Sequence, residues 1–152
     1  MMQFNRKTEY ALLSAEYMAR KEGALSTPRR ATSTREIADA YRIPYPLLAK
    51  VLQKLASKGA IRAVHGTKGG YVLARKAAEL SVADIVEIFE GPVAVADCFR
   101  EEGSNCPQWH GCHIKAPFSE LNAKIHNLLA STKIADLARR PYSSAPKELT
   151  IT

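Results

Sequence analysis

Apolar residues recur at helical spacing from Thr8 onward: Tyr10, Ala11, Leu13, Ala15, Tyr17 and Met18 predict an amphipathic helix ending near Lys21-Glu22-Gly23. The following stretch, 26–32, contains Pro28 and two arginines and reads as a loop. At Ser33-Thr34-Arg35-Glu36 a capping box predicts a new helix start, with the Ser33 hydroxyl and the Glu36 carboxylate satisfying each other's backbone donors. Ile37, Ala38 and Tyr41 give this short helix its apolar face, and Pro44 limits it. Pro46 suits the first turn of the next helix, which runs to about Ser57 and stops at Gly59. Leu47, Leu48, Val51, Leu52 and Leu55 share one side of it. Pro46, Ala49, Lys50, Gln53 and Ser57 point the other way, so the outer face is small, polar and basic.

After Gly59 the period shortens to that of strands. Residues 61–65 and 71–74 flank Gly66-Thr67-Lys68-Gly69-Gly70, which predicts a hairpin with a glycine-rich, basic tip. The tip lacks the spacing and the Lys-Ser/Thr ending of a nucleotide-binding loop. Residues 81–90 form a further helix, opened by a second capping box at Ser81–Asp84 and closed by Gly91-Pro92. From there to Pro117 no period holds. Phe118, Leu121, Ile125 and Leu128 then step by three, four and three, the spacing of a coiled-coil seam, and predict a dimer helix. Residues 132–139 add a helical turn, and the Ser/Pro/Thr-rich stretch 141–152 is expected to be a disordered tail.

Helix, turn, helix and basic hairpin, in that order, give a mainly α fold of the winged helix-turn-helix type. It carries a cysteine-bearing loop and a C-terminal dimerisation helix. The expected division is a DNA-binding region at 1–80, then the linking helix, cysteine loop and dimer helix at 81–140, then the tail. The charge supports this split. The net charge is +7, but residues 1–80 hold fifteen Lys and Arg against six Asp and Glu, whereas 81–152 hold seven against nine. A basic half suits double-stranded DNA. In this arrangement the second helix of the pair lies in a major groove and the hairpin reaches for the adjacent backbone or minor groove. The residues expected to meet DNA are Arg6, Ser33, Thr34, Arg35, Tyr45, Pro46, Lys50, Gln53, His65, Thr67 and Lys68. Lys50 and Gln53 face base edges, and Arg6 and Lys68 face phosphates. No apolar run approaches the roughly 20 residues that span a bilayer, and the charged start lacks a secretory core. The expected setting is the cytoplasm.

The three cysteines, Cys98, Cys106 and Cys112, fall within fifteen residues of the aperiodic stretch. Structural zinc sites bring paired ligands two to four residues apart. No pair here is that close. An iron–sulfur cluster accepts wider spacing, and three thiolates leave one position for a different ligand. Spacing alone leaves cluster, zinc and reactive or structural thiols open.

Thr8-Glu9-Tyr10-Ala11, Ile43-Pro44-Tyr45-Pro46-Leu47-Leu48, Gly66-Thr67-Lys68-Gly69-Gly70-Tyr71 and the three cysteines before a seam helix together resemble one family. It is that of the iron–sulfur winged-helix repressors typified by IscR, NsrR and RirA, and the likeness spans about Met1 to Arg140. The resemblance implies a homodimer on a palindromic operator, most commonly a repressor, responsive to a [2Fe-2S] or [4Fe-4S] cluster. It implies Cys98, Cys106 and Cys112 as cluster ligands, with a longer first gap than the family's usual members show. In the IscR-like branch the fourth ligand is a histidine at the position of Lys115. In the NsrR-like branch it is an acidic residue of the first helix, given by the partner subunit, at the position of Glu9. Glu9 is therefore the preferred fourth ligand, ahead of His113 and His110. A groove-reading arginine of some members is His65 here. Trp109 is expected to pack against the dimer helix or shield the cluster.

No ordered Cys/His/Asp set, HExxH motif or carboxylate pair supports an enzyme. The competing expectation is a cluster-free winged-helix regulator switched by thiol oxidation, zinc or a protein partner.

Overall fold

A computed structural model describes residues 3–24, 30–100 and 106–139. The expected tail, residues 26–29 of the first loop and residues 101–105 of the cysteine stretch lie outside the described residues.

The first helix, α1, runs Arg6–Ala24 and so starts two residues before its hydrophobic period does. Asn5 is the reason, because its side-chain oxygen accepts the Thr8 backbone N–H at 3.0 Å and caps the helix. The buried side of α1 is a ridge of Ala11, Ala15 and Ala19 with Met18. Small residues at this spacing let neighbouring helices approach closely. Leu13, expected in the stripe, is 36% exposed, and Ser14 is buried in its place. Ser14 is tolerated there because its hydroxyl donates to the Tyr10 carbonyl at 2.7 Å.

Helix α2, Thr34–Tyr41, is capped by Ser33, whose oxygen accepts the Glu36 N–H at 3.1 Å. Glu36 does not return the bond as the capping box requires. Its carboxylate turns to Lys21 Nζ at 2.7 Å and Tyr17 Oη at 3.1 Å, fastening α2 to α1. Arg42, in the left-handed region at φ 53°, turns the chain out of α2. After Ile43 and Pro44, α3 spans Tyr45–Ser57. It buries Leu48, Val51, Leu52 and Leu55, each such residue contributing roughly 1.5–3 kcal/mol on leaving water.

Two antiparallel strands follow, β1 at Ile61–Val64 and β2 at Gly70–Leu73, with Ile61 opposite Leu73 and Val64 opposite Gly70. Thr32 extends the ribbon by a reciprocal pair of 2.8 Å backbone bonds with Tyr71. The chain before α2 thereby anchors the hairpin. This is the helix-turn-helix with its wing.

Helix α4, Val82–Glu90, begins with a complete capping box at Ser81 and Asp84. The chain then passes through a 3-10 turn at Asp97–Phe99 and a run of turns to α5, Lys115–Ser131, which tolerates Pro117 in its first turn. The backbone N–H of Val95 donates to Asn122 at 2.9 Å and docks the segment on α5. Short α6, Ile134–Arg139, returns to the body, where Ile134 is fully buried and its N–H bonds Leu80 at 2.9 Å. One apolar cluster joins α1, α2, α3, the hairpin, α4 and α6. Helix α5 has no buried residue. No helix among the described residues is long and apolar enough to cross a membrane.

Candidate functional site

Burial of the leucine face of α3 fixes its opposite face outward. Tyr45, Pro46, Lys50 and Gln53 are all exposed. Arg35, on α2, lies with its guanidinium 4.9 Å from the centre of the Tyr45 ring, a cation–π contact that orients the first residue of α3. Lys54, the next cation along the helix, is drawn away: its ammonium sits 4.9 Å above the Phe89 ring of α4. The helix therefore presents Lys50 and Gln53 as its polar side chains without a partner among the described residues.

The wing follows α3 in the chain, and its tip faces the start of α2. His65, Thr67 and Lys68 are exposed at its tip. Gly69 and Gly70 shape the tip, since a Cβ on Gly69 would meet the Val64 carbonyl at 2.6 Å and one on Gly70 the Thr32 carbonyl at 2.4 Å. A polar cleft of about 410 Å³ runs between the wing and the chain entering α2, lined by Lys21, Arg30, Ser33, Glu36, Thr67 and Lys68. It brings together three expected residues, Ser33, Thr67 and Lys68, and adds two cations, Lys21 and Arg30, that pattern reading missed. Arg29-Arg30 in the loop is the signal that could have found the second of these. Lys21 is half used up by Glu36, whereas Arg30 is exposed. Thr34 is half-buried within the first turn of α2. Arg6 is at the start of α1, exposed, and paired with Glu9 at 3.0 Å.

Burial would raise the Glu36 carboxyl's pKa, but hydrogen bonds from Lys21 and Tyr17 outweigh it and hold it below the usual carboxylate range. Tyr41, desolvated and donating to Glu16 at 2.8 Å, is pushed up to about 12. These groups brace the scaffold, and Glu36 also lines the cleft.

The cysteines lie at the other end of the chain, all three half-buried free thiols. Cys98 sits in the 3-10 turn and Cys112 just before α5, and both line an open recess of about 740 Å³ with Phe99, Trp109, His113 and Lys115. The Lys115 ammonium lies 3.4 Å from the centre of the Trp109 ring. Trp109 thus makes a wall of the recess. Cys106 is outside that lining, with its sulfur 3.5 Å from Gln108 Oε1. Three free thiols fit the donor chemistry of an iron–sulfur cluster. In placement, Cys98, Cys112 and His113 share the recess, and no three metal-binding side chains are gathered among the described residues of one chain. His110 is exposed, and Glu9 lies on α1 in its pair with Arg6.

The sequence matches the profile of the Rrf2 family, described as iron-dependent transcriptional regulators, over residues 4–140. It is 29% identical over 136 residues to the HTH-type transcriptional regulator NsrR of Shouchella clausii, covering 90% of this chain and 88% of that one. Among solved structures, CymR, the global cysteine regulator of B. subtilis, superposes with a TM-score of 0.71 at 22% identity, covering 91% of this chain and 97% of that one. IscR of T. potens superposes at 0.68 with 21% identity, over 93% of this chain and 94% of that one.

Proposed function

The chain belongs to the Rrf2 family of DNA-binding transcription regulators, and from that premise we propose that it is a cytoplasmic, homodimeric repressor whose operator affinity is set by an iron–sulfur cluster on Cys98, Cys106 and Cys112. The relatives it matches are regulators rather than enzymes.

The observation that carries the DNA-reading half is the outer face of α3. A buried leucine face leaves Lys50 and Gln53 exposed, and the wing that follows exposes His65 and Lys68 at its tip. The two residue types differ in what they read. Gln pairs with adenine and Lys with guanine on the major-groove edge. Arg6, Arg30, Lys68 and the start of α2 supply the phosphate contacts that fix register without reading sequence. Thr34, Arg35, Tyr45 and Pro46 shape the entry to the groove, and His65 and Thr67 complete the wing contact. A two-fold dimer places two α3 helices on a palindrome. The test is binding to duplexes selected from a random pool, followed across salt concentration. A steep loss with salt, near −0.9 in log–log slope per phosphate contacted, is expected, and a flat response contradicts the reading.

For the regulatory half, the likeness to NsrR and the three free thiols support a cluster. A cluster, when bound, supplies a site whose bonds to the protein respond to oxidation, to iron supply and to competing ligands. The residues then act as follows. Cys98, Cys106 and Cys112 would hold it through their thiolates, and Trp109, beside Cys98 and Cys112, would limit water. Glu9 of the second subunit offers a carboxylate as the remaining ligand. The division of labour follows the chain, with reading at 1–80 and sensing and dimerisation at 81–140.

The position of Cys106 outside the recess favours one second reading, in which thiol oxidation alone is the switch. Cysteine-to-serine variants separate the two. Loss of bound iron and sulfide belongs to the first reading, and an effect seen only under oxidant belongs to the second.

A further inference from the structure

The start of α1 does not complete its own cap. In a full capping box the third helical residue returns a carboxylate to the N-cap N–H, as Asp84 does for Ser81 at 2.8 Å on α4. On α1 the N-cap is Asn5 and the third residue is Thr8, which carries a hydroxyl instead. The Asn5 N–H donates to Glu90 Oε1 at 2.8 Å, and Thr8 Oγ1 donates to the same oxygen at 2.6 Å. Thr8 is fully buried, so without this acceptor its hydroxyl keeps only the longer 3.2 Å contact with Asn5.

Glu90 comes from 85 residues downstream. It is the last residue of α4, and the cysteine segment begins at Gly91, which turns at φ 79°. Arg100, two residues beyond Cys98, lines a small cavity of about 80 Å³ at this junction with Phe4, Glu90, Pro92 and Leu129. Burial works against the Glu90 charge, but the bonds from Thr8 and Asn5, with Arg100 nearby, outweigh it and hold the carboxyl below its usual range. At neutral pH the acceptor is therefore ionised, the strong form of such a bond.

We propose that Glu90 is a positioning residue that completes the cap of α1 from α4, and so ties the turn bearing Arg6 and Glu9 to the base of the cysteine segment. A displacement of residues 91–100 shifts the carboxylate and loosens that turn. The coupling is local: it runs from the cysteines to α1 through one acceptor and does not depend on the spacing of the two α3 helices. It rests on the regulator reading above.

The test uses the full-length dimer with free cysteines and again after alkylation with iodoacetamide. Amide hydrogen exchange of residues 6–10 and affinity for the selected duplex are measured in both states, with unfolding midpoints as the folding control. In the wild type, alkylation is expected to speed exchange in this turn by about fivefold or more and to change duplex affinity, the usual span for coupled sites being about 5- to 150-fold. In Glu90→Gln, exchange is expected to be fast in both states and the affinity ratio to fall within about twofold of one. Thr8→Val removes the donor from the other side and is expected to behave alike; it decides the matter if Glu90→Gln does not fold. A merely structural Glu90 lowers affinity equally in both states, so variants that keep the wild-type ratio overturn the proposal. A wild type whose exchange ignores alkylation overturns it as well. A wild type whose exchange responds while its duplex affinity does not overturns the coupling of the cap to DNA binding, whereas a protein that binds no duplex in either state sinks the regulator reading instead.

Discussion

Gly70 holds a φ of 153° with its Cα hydrogen against the Thr32 carbonyl, at the point where the wing is pinned to the chain entering α2. Gly70→Ala is expected to cost about 1–3 kcal/mol of stability in urea unfolding and to loosen the wing, because backbone stands where the methyl would go. Polar side chains around the groove separate by role. Lys50→Ala and Gln53→Ala are expected to relax preference among duplexes by about 1–3 kcal/mol for each base edge no longer read. Arg6→Ala and Lys68→Ala weaken every duplex alike and shorten the salt slope by about one. Competition binding across a set of single-base variants distinguishes these outcomes. The carboxylates carry a pH dependence of defined sign. Glu36 and Asp84 are both held below their ordinary values against a burial effect that would raise them, the first by Lys21 and Tyr17, the second by Ser81 and Arg75. Their contribution to stability is thus complete above about pH 4.5 and is lost as pH falls through the lower native values. Tyr41 acts in the opposite sense, and its contribution is lost between about 10 and 12 as pH rises. A melting-temperature profile that climbs on acidification from pH 5 to pH 3 contradicts this assignment.

Among the elements, α5 makes the plainest demand for a partner. Ile114 at 55% exposure, just before the helix, and Leu121 at 43% and Leu128 at 66% on it form, with Phe118, an apolar stripe on a helix that has no fully buried residue within its own chain. Such a stripe marks an interface. Leu121→Glu combined with Leu128→Glu is expected to give a folded monomer in sedimentation, with an unfolding midpoint little changed for the body. A double variant that stays dimeric contradicts the assignment of the interface to α5. The exposed apolar side formed by Phe118, Leu121 and Leu128 was legible from its spacing, whereas Ile125, expected beside them, is half-buried. The leucine face of α3, the two short strands of the wing and the Ser81 cap were legible on similarly local grounds. What pattern reading got wrong has equally physical causes. Leu13 fell outside the core because an alanine ridge, not the larger side chains, sets which side of α1 packs. Glu36 left its capping box because Lys21 and Tyr17, remote in sequence, offered better partners. The first two residues of α1 were missed because they are fixed by Asn5 and Glu90 rather than by hydrophobic period.

Across the molecule, one core joins the reading helices to α4 and α6, while α5 joins it through Leu129 and has no fully buried residue. The charge asymmetry of the chain maps onto this arrangement. The exposure of Tyr45, Pro46, Lys50, Gln53, His65, Thr67 and Lys68 could be foreseen because side-chain polarity and helix phase are local properties. The cysteine site could be located but not assembled, since the segment has no period and Cys106 lies outside the recess that Cys98 and Cys112 share. Glu90 was invisible for a related reason, as its role depends on a contact across 85 residues. Control of DNA binding by an iron–sulfur cluster stands or falls on whether the three thiols hold one. The deciding measurement is an anaerobic absorption spectrum of the full-length protein, with iron and acid-labile sulfide counted per chain. A brown protein with matching iron and sulfide, lost together in Cys98→Ser, Cys106→Ser and Cys112→Ser, is the predicted result. A protein that stays colourless with three titratable thiols after an attempt to rebuild the cluster contradicts it.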